Sequence, residues 1–151
     1  MDVLPLRGRP CPFDRASPHY RWSRDIPLTT VASGLRASGV DVGALQQLAS
    51  ASWTASGRVR TLRLTGARGA VTASAKVFRQ ALGADLVKST LMTVSARDGI
   101  LHLAGYGWGH GVGLCQWGAL GMAQAGYSAH DIVQYYYPGV TLSHLPPVTQ
   151  E

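Results

Sequence analysis

Glutamate is almost absent from this 151-residue chain: Glu151, the last residue, is the only one, and the remaining acids are seven aspartates. A glutamate general acid is therefore excluded from the folded body. Lysine is nearly as scarce, with only Lys76 and Lys88. Two cysteines, Cys11 and Cys115, are too few for a disulfide framework and leave the redox compartment open. No apolar run approaches the roughly 18–20 residues that a membrane span needs. The opening residues Met1 to Pro5 lack the basic start and apolar stretch of a secretory signal. The expectation is a cytosolic protein or a piece of a longer exported one.

What is present is arginine, which supplies most of a formal charge of +6. Such a surface suits nucleic acid, anionic lipid or an anionic wall polymer. The arginines are scattered, however, from Arg7 to Arg24 and again from Arg58 to Arg68, and no basic run interleaves with aromatics. Nucleic acid is not expected as a partner. With 46% hydrophobic and 15% charged residues, the chain has the composition of one globular domain with a real core.

The coarse pattern mixes strands and helices without a βαβ rhythm, which places the fold in the α+β class as a single compact domain over 1–151. Residues 1–19, rich in proline and arginine, read as an extended loop before a folded body over 20–145. A strand is expected over Tyr20 to Ile26, then a helix capped by Thr29 or Thr30 through Leu35, and a second short helix over Gly43 to Ala49. Val59 to Leu64 has strand character, with a turn at Gly66 to Gly69. Ser74 is placed to cap a helix that ends at Gly83. Asp98-Gly99 is a strong hairpin signal between Leu91 to Ala96 and Ile100 to Ala104. Two further helices are expected, from Gln116 to about Ala125 and from Ser128 to Pro138. Trp53 reads as core.

Residues 105–118 alternate glycine with Tyr106, Trp108, His110 and Val112. In an extended run, period two puts these four side chains on one face and bare backbone on the other. Such rings can stack on sugars, and His110 can donate, accept or bind metal. A tightly packed strand with its rings in the core fits the pattern equally well. A nucleotide loop does not: His110 and Val112 occupy positions where G-x-G-x-x-G needs glycine, and there is no GK[ST].

Residues 107–140, GWGHGVGLCQWGALGMAQAGYSAHDIVQYYYPGV, closely resemble the terminal signature of the SpoIID/LytB (stage II sporulation protein D) family. The segment Cys11…Ser17-Pro18-His19-Tyr20-Arg21-Trp22 resembles that family's C…SPHYRW. Ser56 to Val59, Phe78-Arg79, Ala81 to Gly83, and Lys88 to Leu91 follow in the family's order, so the resemblance covers nearly the whole chain. It implies a secreted or periplasmic, cell-wall protein that acts on peptidoglycan glycan strands as a lytic transglycosylase, or an enhancer of wall amidases. A single carboxyl serves such a reaction as acid and then base. In the family this glutamate precedes the C…SPHYRW segment, so the resemblance implies the carboxy-terminal portion of an incomplete SpoIID-like fold, dependent on a missing N-terminal half.

The site residues follow from the same resemblance. His110 and Gln116 are the candidates for catalytic contacts. Ser89, Thr90, Tyr106, Trp108 and Tyr137 are candidates for lining a glycan groove, although a strand-entry cap explains Ser89 and Thr90 as well. Cys11 and His19 match positions where the family holds zinc, with a longer spacing than its common form; two ligands do not complete a tetrahedral site. His110 and Cys115 are weaker additions, because the family usually carries serine at Cys115. His102, His130 and His144 match nothing functional.

Overall fold

The computed structural model describes residues 8–143. It is α+β, and the chain divides into two compact units: Ser17–His110, and the described residues of Met1–Ala16 with Gly111–Glu151. His144 and the first seven residues of the expected loop lie outside the described residues.

The unit Ser17–His110 is built on two three-stranded antiparallel sheets. One has the order β1 (Arg21–Pro27), β6 (Ile100–Tyr106), β5 (Met92–Arg97), and the other β2 (Leu45–Trp53), β3 (Val59–Gly66), β4 (Gly69–Ser74). Helices α1 (Leu28–Ala37) and α2 (Ala75–Leu82) cover a core that includes Val31, Leu35, Leu62, Leu64, Phe78 and Leu101. The arginines of β3 fall at its non-core positions: Leu62 and Leu64 are buried while Arg60 and Arg63 are exposed, so period-two patterning places the charge in water. The β5–β6 hairpin turns at Asp98 and Gly99, both with positive φ (53° and 76°), as its dipeptide requires. Ser74 accepts from the Val77 amide at 3.1 Å and starts α2, and Gly83 closes it.

Three expectations fail here. Residues 43–49 are not helical: Leu45 to Trp53 form β2, with Leu48 opposite Leu64. Pairing to the buried β3 overrides the helical preference of Leu-Gln-Gln-Leu. Helix α1 begins at Leu28 after Pro27, with no side-chain cap from Thr29 or Thr30. Trp53 is 56% exposed, because register shifts near the end of β2 turn it out of the core.

The other unit holds α3 (Gln116–Gln124) and α4 (Ala129–Tyr136), packed around Met122, Ile132 and Tyr136 with Cys11 and Phe13 against them. Ser128 and Asp131 form a reciprocal capping box at the start of α4.

Gly105 is the tightest position in the sheet. A Cβ there would lie 2.4 Å from the Trp22 ring and 2.7 Å from the Leu91 carbonyl oxygen. Gly105→Ala is expected to lower stability by about 2 kcal/mol or more, read from its urea midpoint; an unchanged midpoint contradicts this packing.

Candidate functional site

The glycine run leaves β6 at Tyr106 and stops being extended. Gly107, Gly109, Gly111 and Gly113 all have positive φ (68°, 133°, 76° and 88°), so the backbone turns at every second residue. The expectation of one extended face bearing Tyr106, Trp108, His110 and Val112 is therefore corrected. The glycines supply backbone conformations that side chains disfavour, and Tyr106 and the three residues between the glycines are exposed.

In the unit Ser17–His110, the start of this run is fastened at four points. The Trp22 indole N–H donates to the Gly107 carbonyl at 3.0 Å, and the Gly107 amide donates to the His19 carbonyl at 3.0 Å. The Ser89 hydroxyl donates to the Tyr106 carbonyl at 2.6 Å, and the Gly109 amide donates to the Lys88 carbonyl at 2.9 Å. Trp108 is thereby held beside two groups. Lys88 Nζ lies 4.0 Å from its ring centroid, and the His19 ring meets it edge-on at 4.5 Å. Lys88 Nζ is 3.4 Å from His19 Nδ1. An ammonium only donates, so Nδ1 accepts and the imidazole carries its proton on Nε2.

Lys88 is 9% exposed, yet among the described residues no carboxylate pairs with it. A buried cation without an acid is costly, and here only an aromatic face and an imidazole offset the cost. Trp108 remains 46% exposed. A half-open indole with a shielded cation at its face is a surface on which an anionic ring compound can rest. Arg58 is a second such cation: one guanidinium nitrogen, Nη1, is buried with no acceptor among the described residues, and burial lowers its pKa.

The other expected groove residues are placed differently. Ser89 is 1% exposed, and its hydroxyl is used inside the fold, donating to Tyr106 and accepting from the Leu91 amide. Thr90 is half-buried and its carbonyl accepts from the Val59 amide. Tyr106 is exposed, edge-on to Tyr20 and beneath the Arg21 guanidinium. His110 is exposed.

In the unit with α3 and α4, Gln116 is exposed at the first turn of α3. The Tyr137 hydroxyl accepts from the Leu114 amide at 3.0 Å. Cys11, Asp14 and Cys115 converge, with one ligand atom from each lying within 4.8 Å of the others. Cys115 also caps α3, its sulfur accepting from the Gly118 amide at 3.4 Å. Burial, and then the nearness of Cys11 and Asp14, push the Cys115 thiol up to about 11. Burial and the Cys11 contact raise the Tyr136 hydroxyl. The zinc pair implied by the family was Cys11 with His19. The two fall in different units: within its own unit Cys11 lies beside Cys115, Asp14 and Tyr136, and within its own His19 Nδ1 lies 3.4 Å from Lys88 Nζ. In the sequence alone, Lys88 reads only as part of a family-like segment and Asp14 only as a fallback acid; neither is a candidate binding or metal residue there. The scarcity of lysine was a usable signal for the first; nothing local marked the second.

Residues 11–113 match the family described as Domain of unknown function (DUF8618). Stage II sporulation protein D of Bacillus amyloliquefaciens is 30% identical over 141 residues, covering 91% of this chain and 38% of that protein. Stage II sporulation protein D of Bacillus subtilis (strain 168) is 28% identical over 139 residues, with the same coverage. The chain belongs to the DUF8618 family and is a SpoIID-type protein. The Amidase enhancer of Bacillus subtilis (strain 168) is 42% identical over 66 residues, 44% of this chain and 9% of that protein. The chain thus spans well under half the length of these curated relatives.

This SpoIID-type chain offers a direct check of its cation. Its only two lysines differ sharply, Lys76 being exposed on α2 and Lys88 shielded. Limited acetylation followed by peptide mass spectrometry is expected to modify Lys76 several-fold faster than Lys88. Equal rates contradict the shielded placement.

Proposed function

We propose that this chain is the glycan-binding portion of a peptidoglycan-acting SpoIID-type lytic transglycosylase, with its catalytic acid supplied from outside the chain's folded body. The observation that carries the reading is the His19–Lys88–Trp108 cluster. Glycan strands stripped of stem peptides expose a lactyl carboxylate on every second sugar. An open indole stacks on the apolar face of a sugar ring, and the adjacent ammonium and imidazole N–H receive that carboxylate. Family membership supports a wall setting outside the cell membrane, and no described helix is long and apolar enough to cross a membrane.

The chain has no glutamate before Glu151, so protonation of the glycosidic oxygen falls to a group on a partner or on another segment. A second reading, a non-catalytic module that enhances a wall amidase, is favoured by the similarity to the Amidase enhancer. Asp25 is a weak substitute acid, since it accepts from or pairs with His102 at 2.7 Å on the surface.

Purified chain incubated with denuded glycan strands is expected to co-sediment with them and to leave no 1,6-anhydro ends detectable by mass spectrometry. Trp108→Ala is expected to weaken binding by about tenfold, equivalent to roughly 1.4 kcal/mol. Failure of the folded wild-type chain to bind overturns the reading. Anhydro ends from the chain alone overturn the placement of the acid and point to Asp14 or Asp25. Stimulation of an amidase without glycan binding selects the second reading.

A further inference from the structure

We propose that Cys11, Asp14 and Cys115 form a zinc site, two thiolates and one carboxylate around a Zn²⁺ whose fourth position takes water. It rests on geometry within one unit and is independent of the glycan reading. Cys115 Sγ and Asp14 Oδ2 are 3.8 Å apart, long for a hydrogen bond. That separation suits two ligands of one tetrahedral ion, where bonds of about 2.3 Å to sulfur and 2.0–2.2 Å to oxygen put ligand atoms roughly 3.5–3.8 Å from one another. All three ligand atoms lie within 4.8 Å of one another, so a small contraction closes the set.

A second observation points to a missing partner. The other carboxylate oxygen, Asp14 Oδ1, is buried and has no hydrogen-bond partner among the described residues. An unpartnered buried carboxylate oxygen is destabilising, and an ion beside Asp14 relieves it. The sulfurs are already served as zinc-bound thiolates usually are. Tyr136 Oη lies 3.0 Å from Cys11 Sγ, and the Gly118 amide donates to Cys115 Sγ. Gly118 is required here, because a Cβ would lie 2.2 Å from the Cys11 sulfur and 2.0 Å from the Tyr136 hydroxyl. Two soft sulfur ligands favour zinc over calcium or magnesium. On binding, each thiol gives its proton to solvent and its sulfur lone pair to the ion, so two protons leave per zinc bound.

The test uses the whole chain, reduced and stripped of metal, titrated with Zn²⁺ against a chromophoric chelator. Co²⁺ serves as a second probe through its thiolate charge-transfer bands. One zinc per chain and thiolate bands are expected. Cys115→Ser and Asp14→Asn are each expected to weaken binding by more than about tenfold, and His19→Ala to leave it unchanged. Circular dichroism checks that each variant is folded, and the near-isosteric Asp14→Asn decides if Cys115→Ser is not. Zinc binding that needs His19 but neither Asp14 nor Cys115 overturns the proposal. So does a reduced chain that binds no zinc, or a Cys11–Cys115 disulfide as the cluster's only chemistry.

Discussion

The Trp22 ring lies where a side chain on residue 105 would have to be, and the candidate glycan surface depends on that close approach. Trp22 and Gly105 are register partners across β1 and β6, so only glycine lets the indole settle over the neighbouring strand. Once settled, its N–H reaches the Gly107 carbonyl and marks where β6 gives way to the turning run. Ser89 and the Lys88 carbonyl then take the next backbone groups. This backbone clamp places Trp108, whose ring then rests against Lys88 and His19 with the rest of it open to solvent. A buried serine thus helps to hold the backbone that carries an exposed tryptophan.

Elements with short-range causes were legible in the sequence. Asp98-Gly99 needs two left-handed residues, and Ser74 and Ser128 each satisfy amides three residues on; all three features appear at their expected places. Elements with long-range causes were not. Residues 45–53 become a strand because β3 offers them a buried partner, which no local window contains. The glycine run was misread because period two is shared by a pleated strand and by a chain of turns, and only the φ values separate them. The site was legible as a set of residue types, in Trp108, His19 and Cys11, and not as contacts. Among the described residues Lys88 has no counter-charge and one oxygen of Asp14 has no hydrogen-bond partner, and these are the features that single them out.

The two units carry different chemistry. One holds two cations, Lys88 and Arg58, that pair with no acid among the described residues, in a chain whose acids are few. The other brings an acid and two thiols together. Buried charge left uncompensated is unfavourable for folding, and its presence at an open aromatic surface is what a receptor for an anion requires.

The most direct measurement compares binding of the chain to denuded glycan strands before and after their lactyl carboxylates are converted to neutral amides. If Lys88 receives the carboxylate, amidation weakens wild-type binding by about tenfold or more, while Lys88→Met binds both strands equally and weakly. Equal binding of both strands by the wild-type chain contradicts the role assigned to Lys88.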